Sequence, residues 1–124
     1  MKTAIIVLSD PKSGGEEALG RLFNALAAAY DLKQKQQEVD ILFQGTGTRW
    51  TGHLTAPEHP AHGLYAAVAD RVVGVSSGCA DVFGARADAE MNGFSLIGDN
   101  AVPGTSGLPS LARYVAEGYS ILTF

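Results

Sequence analysis

Arg71-Val72-Val73-Gly74-Val75-Ser76-Ser77-Gly78-Cys79-Ala80-Asp81 runs from an apolar stretch through small residues into a helical pattern. The segment from Arg71 to Val75 lacks the polar alternation of a half-exposed strand, so it reads as a strand buried on both faces. Ser76 to Cys79 reads as a turn, and Ala80 to Asn92 as a helix that Gly93 stops. Cys79 is the only cysteine. Backbone N–H groups at a helix start are unpaired, and the helix dipole adds partial positive charge there. Thiols in such places ionise more readily, and the thiolate is the reactive form. Cys79 therefore reads as a nucleophile or sulfur carrier. The competing reading is a small apolar residue in the core. Gly78 allows a close backbone approach beside it, and Ser77 offers a hydroxyl in the same turn.

The strand-then-helix order repeats on either side. Ala4 to Leu8 is a first apolar strand. Ser13 and Glu16 have the spacing of a capping box, opening a helix that runs to about Lys35. Leu19, Leu22, Phe23, Leu26 and Tyr30 recur along it at helical spacing as its core face. Glu38 to Phe43 is a second strand, and Gln44 to Pro57 a long irregular stretch. A helix is expected from near Pro60 to near Asp70. Phe94 to Gly98 is a fourth strand, Val102 to Gly107 a loop, Leu108 to Glu117 a helix with Pro109 in its first turn, and Tyr119 to Phe124 a fifth strand. This order predicts one α/β domain over residues 1–124, with a five-stranded, mainly parallel sheet and helices on both faces. Ligands of such sheets bind beyond the carboxyl ends of the strands. Ser9 to Gly15, Gln44 to Pro57 and Ser76 to Cys79 all belong at that edge.

Composition narrows the function classes. Hydrophobic residues make up 46% and charged residues 18%, which describes a folded chain. The low charge fraction is consistent with surface covered by further subunits. Net charge is −4 with no basic cluster, against nucleic-acid binding. One cysteine cannot form an internal disulfide, which fits a reducing cytoplasm. The apolar start, Ala4 to Leu8, ends at Asp10-Pro11-Lys12, too short for a signal core or a membrane span.

The loop Ser9-Asp10-Pro11-Lys12-Ser13-Gly14-Gly15 fits no phosphate-binding glycine spacing, and Glu16 and Glu17 behind it repel anions. His53, His59 and His62 lack a zinc-site spacing, so no metal is expected and they read as polar loop or interface residues. Arg49 and Trp50 lie in the loop expected to approach Cys79. The arginine suits a thiolate or a bound anion, and the tryptophan suits packing over the sheet or a subunit interface. His53 belongs to the same candidate binding set. Arg86 lies two turns beyond Cys79 and reads equally as a surface residue. No serine-hydrolase elbow is present.

Three segments resemble the DsrE/DsrF-like family, which includes the TusD-type sulfur relay subunits. They are Lys2 to Asp10 with its small-residue loop and long helix, Val75 to Asp81 with a cysteine after the third strand, and Val115 to Phe124 with a terminal helix, glycine and strand. The resemblance spans essentially the whole chain. It implies a flavodoxin-like sheet, a homo- or hetero-oligomer that is often trimeric or hexameric, and a persulfide on the cysteine, a role only Cys79 can take. It implies sulfur donor and acceptor proteins as partners and no bound cofactor. The alternative is a non-enzymatic oligomeric module of the same fold that binds a small molecule or a protein.

Overall fold

In the computed structural model, which describes residues 1–124, the quoted stretch forms strand β3, Val72–Ser76, leading without a loop into helix α3, Ser77–Val82. The other strands are β1 (Lys2–Val7), β2 (Glu38–Phe43), β4 (Leu96–Ile97) and β5 (Ser120–Thr123). The other helices are α1 (Gly15–Gln34), α2 (His62–Val68), α4 (Arg86–Met91) and α5 (Leu111–Ala116).

All pairings are parallel, and the five strands lie in the order β4-β3-β2-β1-β5. The architecture is the predicted α/β sheet, consistent with a flavodoxin-like fold. From β1 to β4 each connection steps one strand over in the same direction. Right-handed crossovers then put α1, α2, α3 and α4 on one face. The main core lies there, with Leu22, Leu26, Val68, Ala80 and Ala89 against Ile5, Val7, Ile41, Phe43 and Val75. The last connection runs back across three strands and puts α5 on the opposite face. Its Tyr114 covers Ala4, Ile6 and Leu42.

Several local expectations are corrected. Ser76 to Cys79 is not a free turn: Ser76 caps α3, and Cys79 already lies in the helix. The helix expected over Ala80 to Asn92 breaks at Gly84, whose φ of +69° favours glycine, so α3 and α4 are separate. Ser13 caps nothing. Its hydroxyl donates to Asp10 Oδ2 at 2.5 Å, and α1 starts at Gly15 without a side-chain cap. The small Ala18, Ala25 and Ala29 share the α1 core face with Leu22 and Leu26, while Tyr30 is 42% exposed. Gly45–Gly52, expected to be irregular, is a 3-10 helix. Pro60 precedes α2 rather than starting it, and a 3-10 turn, Ala69–Arg71, links α2 to β3. Leu108 forms an antiparallel bridge to Asn100, and α5 begins only after Ser110, whose hydroxyl accepts from Arg113 N–H.

A single polar contact fastens α5 to the sheet. Tyr114, 1% exposed, donates its hydroxyl to Asp40 Oδ2 at 2.7 Å. Burial first, then this bond and the Asp40 charge, push the phenol pKa up. The Arg113 guanidinium lies 4.6 Å from the Tyr114 ring centroid, and Tyr119 meets the ring edge-on at 4.8 Å. Tyr114→Phe keeps the ring and removes the donor to a carboxylate. Urea unfolding is expected to show a loss of about 1.5–3 kcal/mol, the range for a hydrogen bond to a charged group. An unchanged midpoint would show that the bond is dispensable.

Candidate functional site

The carboxyl ends of the strands form one edge, and three segments meet there. The first is the start of α3. The Ser76 hydroxyl accepts from Cys79 N–H at 3.2 Å, fixing the first helical turn. Gly78 N–H donates to the Gly107 carbonyl at 2.7 Å. A Cβ on Gly78 would stand 2.8 Å from Leu108 Cδ1 and 3.1 Å from Gly107 O, so only glycine lets the loop lie this close. Ser77 and Ser106 share a hydroxyl bond of 2.7 Å. Arg86 donates to Ser77 Oγ at 2.8 Å and to Asp81 Oδ1 at 2.5 Å, and Ser106 donates to Asp81 Oδ2 at 2.7 Å. The hydrogen bond from Arg86, then that from Ser106, hold the Asp81 carboxyl below the usual range. Cys79 is half-buried, neither sealed in the core nor fully in solvent.

The second segment is the 3-10 helix after β2. Arg49 donates through Nη1 to Asp10 Oδ2 at 2.9 Å and through Nε to the Phe83 carbonyl at 3.1 Å. Its guanidinium carbon lies 5.8 Å from the Phe83 ring centroid. Trp50 is 2% exposed and belongs to the main core. Its indole N–H reaches the Ser9 carbonyl at 2.9 Å, and its ring meets His53 and His59 edge-on at 6.3 and 6.0 Å. Burial within its own chain removes Trp50 as an interface residue.

The third segment is the loop after β1, organised by Asp10. Its carboxylate accepts from Lys12 N–H, the Ser13 hydroxyl and Arg49. The Ser13 bond foremost, with Lys12 and Arg49, outweighs burial and holds the Asp10 carboxyl below the usual range. Between these segments opens a cleft of about 430 Å³, lined by Lys12, Arg49, His53, Phe83 and Asp88 among others.

Arg49 and Cys79 thus reach the same edge, linked through Phe83, whose N–H donates to the Cys79 carbonyl at 2.9 Å one helical turn on. Cys79 itself does not line the cleft, and Trp50 turns toward Ser9 and the histidines. His53 lies on the cleft wall; Ser77 and Gly78 bond to the 106–107 segment. Sequence reasoning missed Asp10, Asp81 and Ser106, and left Arg86 undecided. The Asp-Pro start of the first loop was a readable signal for Asp10. Nothing in the sequence brings Ser106 to Ser77.

The DsrE/DsrF-like family model matches residues 1–124. No curated protein and no solved structure matches the chain. No helix is long and apolar enough to cross a membrane.

The histidines beside Trp50 give the edge a pH dependence. Burial first, then the proximity of His53 and His62 with Glu58 opposing, lowers the His59 pKa from its ordinary 6.5. Neutral His59 also accepts Ala61 N–H on Nδ1 at 3.1 Å, which protonation would forbid. A histidine depressed in the folded state binds more protons when unfolded, so its contribution is present above pH 6.5 and is lost as pH falls below it. Thermal melting is expected to drop between about pH 7.5 and about pH 5.5. His59→Gln should flatten that part of the profile; an unchanged slope would remove His59 as its source.

Proposed function

The chain belongs to the DsrE/DsrF-like family, which is related to sulfur relay proteins, and on that premise we propose that Cys79 carries sulfur as a persulfide between partner proteins. The observation that carries the reading is the placement of the one thiol. Cys79 is half-buried at the first turn of a helix on the sheet's carboxyl edge, with its backbone fixed by the Ser76 cap. A carrier thiol needs a defined position and an approach for another protein's sulfur, and this placement supports both.

The chemistry requires no metal or bound cofactor. The Cys79 thiolate attacks the outer sulfur of a donor persulfide. The donor S–S bond breaks, a new S–S bond forms at Cys79, and the donor leaves as a thiolate. An acceptor thiolate then takes the outer sulfur from Cys79 in the same way, returning Cys79 as thiolate. Each step is an exchange with no net oxidation. Ser77 and Gly78 hold the turn, and Arg49 supports it through Phe83. A single cysteine suits a reducing cytoplasm.

The alternative, a binding module, has its own observation in the cleft beside Arg49 and His53 that Cys79 does not line.

Assembly belongs to the same proposal. Val82 on α3 is 69% exposed and Met91 on α4 is 80% exposed, apolar side chains that another copy would cover. A homo-trimer or homo-hexamer is expected by sedimentation at micromolar protein. The mass of a single chain would overturn it.

The sulfur reading is tested by intact mass after incubation with a cysteine desulfurase and cysteine. The protein is expected to gain one sulfur atom that a reductant removes, and Cys79→Ser is expected to gain none. Failure of the unaltered protein to gain sulfur while iodoacetamide labels its folded thiol would overturn the carrier role.

A further inference from the structure

Two opposite charges without partners face the same cleft. Lys12 is exposed and joins no ion pair. Asp88 is exposed, and its carboxylate makes no salt bridge, although four arginines elsewhere in the chain are paired with acids on their own or adjoining helices and loops. Arg49 lines the cleft with both. Asp10 takes its Nη1 and the Phe83 carbonyl takes its Nε, which locks the guanidinium plane and leaves Nη2 unused. A guanidinium held on two edges is a preorganised donor for a carboxylate.

The opposite charges are held by different segments. Lys12 follows Asp10 in the loop that grips Arg49. The Asp88 carboxylate lies against Gly52, where a Cβ would collide with it. Gly52 is one 3-10 turn beyond Arg49, roughly 6 Å of rise. The cationic donors thus gather about Asp10 and the carboxylate lies by Gly52, and the half-buried Phe83 lines the same cleft. Lys12 and Arg49 balance Asp10 and Asp88, so these four groups sum to zero charge. A simple anion would meet Asp88, and a simple cation would meet Lys12. A volume of about 430 Å³ admits a small molecule of the kind that clefts of this size bind.

We propose that this cleft binds a small zwitterion of the α-amino acid type, its carboxylate on Lys12 and the free Nη2 edge of Arg49, its ammonium on Asp88 and its side chain against Phe83. The site goes beyond the sulfur-carrier reading and does not require the Cys79 thiol.

Titration of the ¹⁵N-labelled chain tests it with three probes: L-leucine, N-acetyl-L-leucine, which lacks the ammonium, and L-leucinamide, which lacks the carboxylate. L-leucine is expected to move the amide signals of Lys12, Arg49, His53 and residues 83–88. Each blocked probe is expected to bind at least about tenfold more weakly, the loss of one charge-assisted hydrogen bond. Lys12→Gln and Asp88→Asn, which break no ion pair within the chain, should each weaken L-leucine by about tenfold. Cys79→Ser should bind L-leucine as the unaltered chain does, so the result stands apart from sulfur transfer. No shift at about 10 mM L-leucine, roughly ten-thousandfold above micromolar affinity, would overturn the proposal. Equal binding of either blocked probe, or shifts confined elsewhere on the surface, would also overturn it. The blocked probes act on the unaltered protein, so the test survives even if a variant fails to fold.

Discussion

The whole edge depends on how closely the backbone at Gly47 lies on the end of β1. A Cβ there would overlap the Val7 carbonyl, so no other residue allows the 3-10 helix to cross the strand end at this depth. Runs of this geometry rarely exceed one turn, yet this one spans Gly45–Gly52. Two hydroxyls bond along it. Thr48 donates its hydroxyl to the Gly45 carbonyl and the buried Thr51 donates to the Thr48 carbonyl, each at 2.8 Å and each three residues back. That spacing matches the 3-10 backbone pattern and satisfies both hydroxyls within the helix. With the helix axis fixed, Arg49 is delivered toward α3 and Trp50 toward the loop after β1.

Asp10 connects the pieces this constraint brings together. One carboxylate accepts from a backbone N–H, a hydroxyl and a guanidinium on two different segments. The Arg49–Asp10 pair is partly shielded, with side-chain exposures of 26% and 15%. It is therefore screened less than the freely exposed pairs of α1, Arg21–Glu17 and Lys35–Asp31. The helical Glu-to-Arg type of pair steadies one element; the Asp10 pair fixes the relative position of two.

The larger features were legible in the sequence because they follow from period and order. β2 has the bounds that its apolar pattern gives, Glu38–Phe43, and the alternation of strands and helices led to a parallel sheet. The errors fall where two local signals compete. Ser13 looked like a helix cap, but Asp10, three residues earlier, captured its hydroxyl and shifted the helix start to Gly15. Gly84 sat inside a helical pattern, and its positive φ splits the helix into α3 and α4. For Trp50 the sequence left packing over the sheet and a subunit interface open, and burial within the chain agrees with the first. At the site, Cys79 and Arg49 were visible as residue types at strand ends. Ser106 was not, because a loop from beyond β4 brings it across the start of α3, and the role of Asp81 on α3 shows only through that Ser106 contact and Arg86.

That returning loop also bears on why the start of α3 is so heavily tied. Ser106 is exposed and the Arg86 and Asp81 side chains are partly so, at 38% and 44%, and ion pairs this open to water contribute only about 0–1 kcal/mol each. Their effect is therefore mainly one of position. The Ser76 cap fixes the first turn from below, the Gly78–Gly107 bond fixes it from the loop, and Arg86 reaches across the Gly84 break to hold Ser77 and Asp81 together. Arg49 holds the last turn of the same short helix through the Phe83 carbonyl. A helix of six residues has little stability of its own, and here contacts from three other segments hold it. The backbone under Cys79 is thus immobilised from several directions while the side chain remains within reach of solvent. This arrangement suits a thiol that must be met in a fixed place by another molecule, whereas a core cysteine would need only burial.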